Sequence, residues 1–410
     1  MILKWLYSNK QSKVKGGYFI APIIFGVFVF AAVYFLYFYL TPNFPLEYVV
    51  NAAGLEVPAV KHIQTPNPLK AVYITSYTAG SKKNRDAIVG MIESTELNSI
   101  VIDIKDYTGR VAFKVTDPNL AKVGSVSDKM PDIKNFIDEL HQKGIYVIGR
   151  IAVFQDPYFV KYRPDLAVKK DSDKTAIWKD YKGISWIDAD APEFWDYILA
   201  ISKEAYSTYG FDELNYDYIR FPSDGEMRDI YYPFSNGKTK IDVMREFFSY
   251  LSHNLKSSGA VLSADLFGMT ATNKDDLNIG QLLENTLPYF DFVAPMVYPS
   301  HYPATFLGYS NPADYPYQVI KYSLDRAYAR ASTTPQKIRP WLQDFDYKAV
   351  YTADMVKLEM KATYDAGFNS WMLWDPSNTY TKGALLLKET DNMQPTNNNQ
   401  TATTTTLKIN

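Results

Sequence analysis

The sequence contains no cysteine and only four histidines. The lack of cysteine excludes disulfides, thiolate metal sites and cysteine nucleophiles. The histidines, at positions 62, 141, 253 and 301, have no metal-ligand spacing, so we expect neither a metal nor an organic cofactor. No GxSxG, Walker or GxGxxG motif follows a strand-like segment, which leaves serine hydrolase, nucleotide and dinucleotide functions without their motifs.

The sequence also lacks an excess of positive or negative charge. The 43 Lys and Arg residues balance 45 Asp and Glu residues, for a net charge of -2, so the chain offers no general attraction for nucleic acid. The hydrophobic content of 47% over 410 residues is enough for a large core. Aromatic residues reach 15%, which suits a stacking surface or an ordinary large core equally well.

The N-terminal region has the pattern of a membrane anchor. Residues 18–40 carry no charge and are long enough to cross a bilayer as a helix, and residues 1–17 hold lysines without any acidic residue. The positive-inside rule then predicts a single-pass membrane protein with a cytoplasmic N-terminus and an extracytoplasmic domain. A cleaved signal peptide is the alternative, but no small-residue cleavage site follows the apolar run.

The composition of two further segments predicts little regular structure. Residues 41–68 contain repeated prolines and little hydrophobic periodicity, which predicts a linker. Residues 389–410 are rich in Asn and Thr and predict a disordered tail.

Between residues 69 and 388 the chain alternates β-rich and amphipathic helical segments, which predicts a parallel sheet with crossover helices. Eight such units favour a (β/α)8 barrel, the TIM-barrel α/β architecture, over a doubly wound sheet. The predicted strands are 71–77, 98–105, 145–153, 211–218, 260–267, 290–298, 337–343 and 369–375. The predicted helices are 84–95, 132–143, 193–209, 241–257, 278–287, 314–331, 354–366 and 381–388.

Carboxylates at the ends of strands four and five are the main candidates for chemistry. Alternation places Glu213, Asn215 and Asp217 on the inner face of strand four, with Asp217 at the mouth of the barrel. The same rule places Asp265 at the end of strand five. Adjacent strands are about 4.8 Å apart, so the two aspartates can face one cleft as a glycosidase pair.

Other polar and aromatic residues fall on the same inner faces or strand ends. Each has a structural alternative: an internal salt bridge for Asp103 with Lys105 or Arg150 with Glu213, a core role for the aromatic rings, and loop anchoring for Arg220. The substrate-binding candidates are Asp103, Lys105, Arg150, Glu213, Asn215, Arg220, Tyr298, Gln343 and Trp374.

Several segments resemble the bacterial putative glycosyl hydrolase domain family, whose members are (β/α)8 barrels. The similarity covers about residues 69–388, and DYIRFP after strand four is its most specific element. The resemblance implies glycosyl hydrolase activity but supplies no substrate. Its segments are YITSYTAGS, VIDIKDYTGRV, FDELNYDYIRFPSDG, SADLFG, PMVYPSHY and WMLWDPSNTY.

The sequence therefore predicts a membrane-anchored glycoside hydrolase that acts on a polysaccharide or oligosaccharide of the cell surface or envelope. Asp217 would be the nucleophile or base, held by a nearby Arg220, and Asp265 the proton donor, with Glu213 as its substitute. An inert carbohydrate-binding or wall-organising barrel is the alternative. A deacetylase is disfavoured because no Asp-His-His metal set is visible. The sequence leaves any protein partner undefined.

Overall fold

A computed structural model describes residues 48–50, 56–58 and 60–388. The chain divides into two compact units, residues 1–59 and 60–410. In the first unit, two three-residue strands, Tyr48–Val50 and Glu56–Pro58, pair antiparallel within the predicted linker. The predicted membrane segment 18–40 and the predicted tail 389–410 lie outside the described residues.

The second unit contains a closed barrel of eight parallel strands, which confirms the predicted architecture. Successive strands along the chain are neighbours in the barrel, and the last strand pairs with the first. The strands are β1 (Lys70–Ile74), β2 (Ser99–Lys105), β3 (Tyr146–Ala152), β4 (Glu213–Asp217), β5 (Val261–Phe267), β6 (Phe292–Met296), β7 (Trp341–Gln343) and β8 (Trp371–Trp374).

Helices surround the strands, and several begin at a side chain that caps a free backbone N–H group. Asp117, Asp156, Thr239 and Thr352 are such caps. The helices are α1 (Ser76–Gly80), α2 (Lys82–Ser94), α3 (Pro118–Val123), α4 (Ile133–Gln142), α5 (Pro157–Tyr162), α6 (Pro192–Glu204), α7 (Lys240–Leu255), α8 (Leu283–Thr286), α9 (Pro316–Ala331) and α10 (Ala353–Asp365).

Some predicted boundaries were wrong. The helix predicted over 278–287 is only the single turn α8, and the one predicted over 381–388 contains only the 3-10 turn Lys382–Ala384. Strand β7 begins at Trp341 rather than at residue 337, because Pro340 has no N–H group for the strand ladder. The short helices α1, α3 and α5 follow strands β1 to β3 and were not predicted.

The barrel has two apolar layers. The outward residues of the strands pack against the helices in one large cluster, which includes Ile100, Ile102 and Ile104 of β2. A smaller cluster fills the barrel interior, with Tyr73, Ile148 and Met372 among its members. The polar groups described below lie on the same inner strand faces, toward the carboxyl ends where barrels carry their active sites.

No helix within the described ranges is both long enough and apolar enough to cross a membrane.

Candidate active site

Strand β4 directs its odd-numbered side chains into the barrel, as alternation predicts. Glu213, Asn215 and Asp217 are all buried and make their contacts inside the barrel. At the end of the strand, Tyr218 has a φ of 53°, an unusual value for a large side chain, and its N–H donates to Oδ1 of Asp217 at 2.6 Å. The strained backbone is thus at Tyr218, directly after Asp217, and such strain is concentrated at functional sites.

Arg150 is the central cation of the site. It lies on β3 between β2 and β4, and its side chain is almost completely buried. Its Nη1 donates to Oδ1 of Asp103 at 2.5 Å and its Nη2 to Oδ2 of Asp217, while Nε lies 3.7 Å from Oδ2 of Asp265. The pKa of Arg150 is well above its usual value, because Asp103 and Asp217 outweigh the cost of burying the charge.

Asp265 is the most buried carboxylate of the group, with 1% of its surface exposed. Its Oδ1 accepts hydrogen bonds from Nδ2 of Asn215 at 2.9 Å and from Nε1 of Trp341 at 2.8 Å. Burial, and next the negative charge of Asp217, raise the pKa of Asp265 to about 7, against the opposing effect of Arg150 and the two hydrogen bonds. A carboxyl group with such a pKa can donate a proton near neutral pH.

Asp103 completes the ring of carboxylates around Arg150. Its second oxygen accepts the hydroxyl of Tyr73 at 2.5 Å. Burial raises the pKa of Asp103, while Arg150 and the tyrosine hydroxyl oppose the shift. One cation thus contacts three aspartates on three strands, so the arrangement stays net negative even when one carboxyl group carries a proton.

Aromatic rings form the wall beside this cluster. Trp374 stacks on Tyr73 with a centroid distance of 3.8 Å and lies 4.9 Å from the Arg150 guanidinium carbon. Tyr298 is buried, and its pKa is raised well above the usual value by burial and by Asp265 and Asp217. The cluster therefore has an apolar, aromatic boundary, which strengthens the electrostatic coupling among its charges.

The predicted residue Glu213 lies deeper in the barrel, away from this cluster. It is fully buried and forms an ion pair with Arg339 of the β6–β7 connection, and Oε2 lies 3.3 Å from the hydroxyl of Tyr146. The sequence suggested an ion pair between Glu213 and Arg150, but the guanidinium that pairs with Glu213 is that of Arg339. Glu213 is bound in an ion pair with Arg339, and in the described structure no hydrogen bond or ion pair joins it to Arg150 or to the three aspartates.

Lys105 does not join the site either. A register irregularity between Asp103 and Lys105 pairs Lys105 with Ile151, an outward residue of β3. Its ammonium contacts Asp156 at 2.9 Å and donates to the carbonyl of Ala152 at 2.5 Å. The predicted inward orientation of Lys105 was therefore wrong, because strict alternation fails across a bulge.

Two other predicted residues are occupied elsewhere. Oε1 of Gln343 accepts the Ser300 hydroxyl at 2.8 Å and its Nε2 donates to the Phe345 carbonyl at 2.9 Å, so it ties two loops together. Arg220 forms no ion pair with Asp217 within 4 Å among the described residues. The cation that holds Asp217 is Arg150, and the expectation that Arg220 would do so was wrong.

Tyr73, Arg339 and Trp341 contact the predicted residues but were not identified from the sequence. Gln343 is selected as the end of strand seven, and counting back from it by alternation directs Trp341 and Arg339 inward as well. The same rule applied to β1 selects Tyr73. Applied to every strand, the alternation of inward and outward side chains could therefore have identified all three residues.

Among the described residues, the site coincides neither with a candidate metal cluster nor with the open cavity between α3 and α6. In residues 60–388 and the two short strands before them, no group of three or more His, Asp or Glu side chains could hold a metal ion. An open cavity of about 540 Å³ lies between α3 and α6, near Lys203 and Glu204, and shares no residue with the carboxylate cluster.

The closed parallel barrel and the family match define the class of protein, a glycoside-hydrolase-like (β/α)8 barrel. The chain belongs to the family described as putative glycosyl hydrolase domain, whose model matches residues 71–380. This assigns the protein to the glycosyl hydrolase class of enzymes, as the sequence segments indicated.

One solved structure supports the fold, and a second is similar in sequence over part of the chain. The glycoside hydrolase domain of PgaB (BpsB) from Bordetella bronchiseptica matches with a TM-score of 0.56 at 14% identity, covering 78% of this chain and 99% of that one. A hypothetical protein from Ruminiclostridium thermocellum is 32% identical, with a TM-score of 0.44, covering 51% of this chain and 98% of that one. No curated protein matches the chain.

Proposed function

We propose that the barrel hydrolyses glycosidic bonds with Asp217 and Asp265 as its two carboxylates. The observation that carries the proposal is their common environment. Both lie at the carboxyl ends of adjacent strands and contact one buried guanidinium, while the pKa of Asp265 is raised to about 7. Glycosidases need two carboxyl groups of different protonation at the scissile bond, and this arrangement supplies them.

The environments suggest which carboxyl group has which role. Asp265 is the acid, because it is buried and can hold its proton near neutral pH. Asp217 is the nucleophile, or the base that activates water, because it is ion-paired with Arg150 and lies at the mouth end of β4. Arg150 and Asn215 would position the two carboxyl groups, and Trp374 and Tyr298 would bound the sugar site.

The function is tested by incubating the purified full-length chain with a panel of cell-wall and capsule glycans. We expect release of shorter products from at least one glycan, at a rate that depends on both aspartates. Asp275→Asn makes the same chemical change in the exposed loop after β5 and serves as the matched control. Absence of product from every glycan would contradict the proposal.

A second function is favoured by one observation. Asp103 and Asp217 are each ion-paired with Arg150 and little exposed, as expected of a structural ion-pair cluster. The barrel would then bind carbohydrate or organise the wall without cleaving bonds. Glycan binding without product release in the same panel would select this function.

We further propose that residues 18–40 anchor the protein in the membrane and place the barrel outside the cell. The charge-free length of this segment and the lysines before it support the proposal. Protease added to intact cells should digest the barrel and leave the N-terminal lysine segment protected, as followed with antibodies against each part. A barrel that stays intact until the cells are lysed would refute this topology. An outside location is what makes an envelope polysaccharide the proposed substrate.

A further inference from the structure

Arg220 is a buried cation beside the proposed active site. It follows β4 by three residues, and 8% of its surface is exposed. Its guanidinium carbon lies 4.6 Å from the ring centroid of Phe267, at the end of β5, and 4.8 Å from that of Trp186. The ring of Tyr218 lies 5.3 Å away. The side chain is therefore held between the ends of the two strands that carry Asp217 and Asp265.

The guanidinium has no carboxylate partner on the described part of the chain. Buried Arg85, Arg150 and Arg339 each have at least one. Arg220 instead uses Nη1 alone, which donates to the Phe221 carbonyl at 3.0 Å and to the Ser223 hydroxyl at 3.3 Å. A buried charge without a counter-ion is costly, and burial accordingly lowers the pKa of Arg220.

Three aspartates influence Arg220 electrostatically, but each has other contacts. Asp217 is bound by Arg150, Asp180 accepts Nε1 of Trp186 at 3.0 Å, and Asp224 accepts the N–H of Tyr181 at 3.2 Å. None of the three lies within 4 Å of the Arg220 nitrogens in the described structure. Their positions leave the charge of Arg220 only partly balanced.

The edge of the Arg220 guanidinium that carries Nε and Nη2 is available to a ligand. No acceptor in the described ranges contacts Nε or Nη2, and neither atom is among the fully shielded unpaired nitrogens, unlike Nε of Arg85, Arg150 and Arg339. These two N–H groups lie on one edge and point in parallel. That geometry matches the two oxygens of a carboxylate, which arginine binds in a bidentate manner.

We infer that Arg220 binds a carboxylate on a substrate sugar, so that the barrel acts on an acidic, uronate-containing glycan. The inference rests on the proposed function, because it assumes that the cleft between β4 and β5 accepts a sugar. The rings of Phe267 and Trp186 pack against the guanidinium and restrict its orientation. The acidic group would supply the missing counter-ion, and a neutral sugar would leave the charge unmatched.

The test compares matched acidic and neutral glycans. Binding of the full-length chain to oligosaccharides of polygalacturonate, hyaluronan and alginate is measured by calorimetry beside the carboxyl-reduced product of each. We expect at least one acidic form to bind more tightly than its reduced product. Arg220→Gln should weaken the binding of that acidic form by about 10- to 100-fold, as expected for loss of a charged bidentate hydrogen bond. The affinity for the reduced form should not change.

Two variants make the result interpretable. Arg326→Gln removes an arginine that also lies over a tyrosine ring, 4.4 Å from Tyr322, but on the exposed side of α9, and should not alter binding. Arg220→Lys keeps the charge without the parallel donors and should lose part of the preference. It is used in place of Arg220→Gln if that variant does not fold, as judged by thermal unfolding.

The outcomes separate this inference from the hydrolase proposal. Equal weakening of acidic and reduced glycans, or no preference in the unmodified protein, would overturn the role of Arg220 even if glycans are cleaved. Arg220-dependent binding restricted to sulfated or phosphorylated dextran, tested alongside, would overturn the carboxylate assignment. Arg220-dependent binding of a uronate glycan without product release would support the inference while the hydrolase proposal fails.

Discussion

Asp217→Asn is expected to lower turnover on the natural glycan by on the order of 10⁴-fold or more, the scale seen when a nucleophile or essential base is removed. The amide has almost the same shape as the carboxylate, so the fold should persist and Arg150 keeps its contacts with Asp103 and Asp265. Glycan affinity should change little. Steady-state kinetics and calorimetry on the same preparation measure the two effects.

The substitution also has an effect on its neighbour. The charge of Asp217 is one of the causes that raise the pKa of Asp265, so its removal should lower that pKa from about 7. A carbon-13 NMR titration of the labelled aspartate carboxyl groups would follow the shift. The exposed variant Asp275→Asn should leave both turnover and this titration unchanged. Turnover close to that of the unmodified protein would exclude Asp217 as nucleophile or base.

The sequence was sufficient for the barrel and for the inner face of β4. Period-2 alternation over short buried strands depends only on local geometry, so it placed Glu213, Asn215 and Asp217 inside the barrel. The same periodicity failed at Lys105, because a bulge in β2 changes the pairing by one residue. Nothing local in IVIDIKD indicates that bulge.

The pairing of charges could not be predicted in the same way. The charged residues inside the barrel include Asp103, Arg150, Glu213, Asp217, Asp265 and Arg339, and alternation does not say which cation reaches which carboxylate. Arg150 selects Asp103 and Asp217 because β3 lies between β2 and β4, whereas Glu213 meets Arg339 from the other side of the barrel. Glu213 and Arg339 lie 126 positions apart in the sequence. Only closure of the barrel brings such residues together.

The second large effect concerns Asp265 and pH. With its pKa at about 7, Asp265 is protonated below that pH and ionised above it. If it is the general acid, turnover on glycans with poor leaving groups should fall as pH rises through about 7. Asp265→Asn should lower this turnover by about 10²- to 10⁴-fold and remove the alkaline limb of the pH profile. Activated aryl glycosides need little acid assistance and should be affected far less.

Stability provides an independent measurement of the same titration. The pKa of Asp265 is raised on folding, so between its ordinary value and about 7 the folded state holds a proton that the unfolded state has lost. The free energy of unfolding should therefore fall as pH rises through this window, and the loss should be complete above about 7. Asn215 and Trp341 can still donate to the amide oxygen of Asp265→Asn, so this variant should fold and lack that component of the pH dependence. An alkaline limb that survives in Asp265→Asn would show that another group is the acid, and Asp103, whose pKa is also raised and which shares Arg150, would be the next candidate.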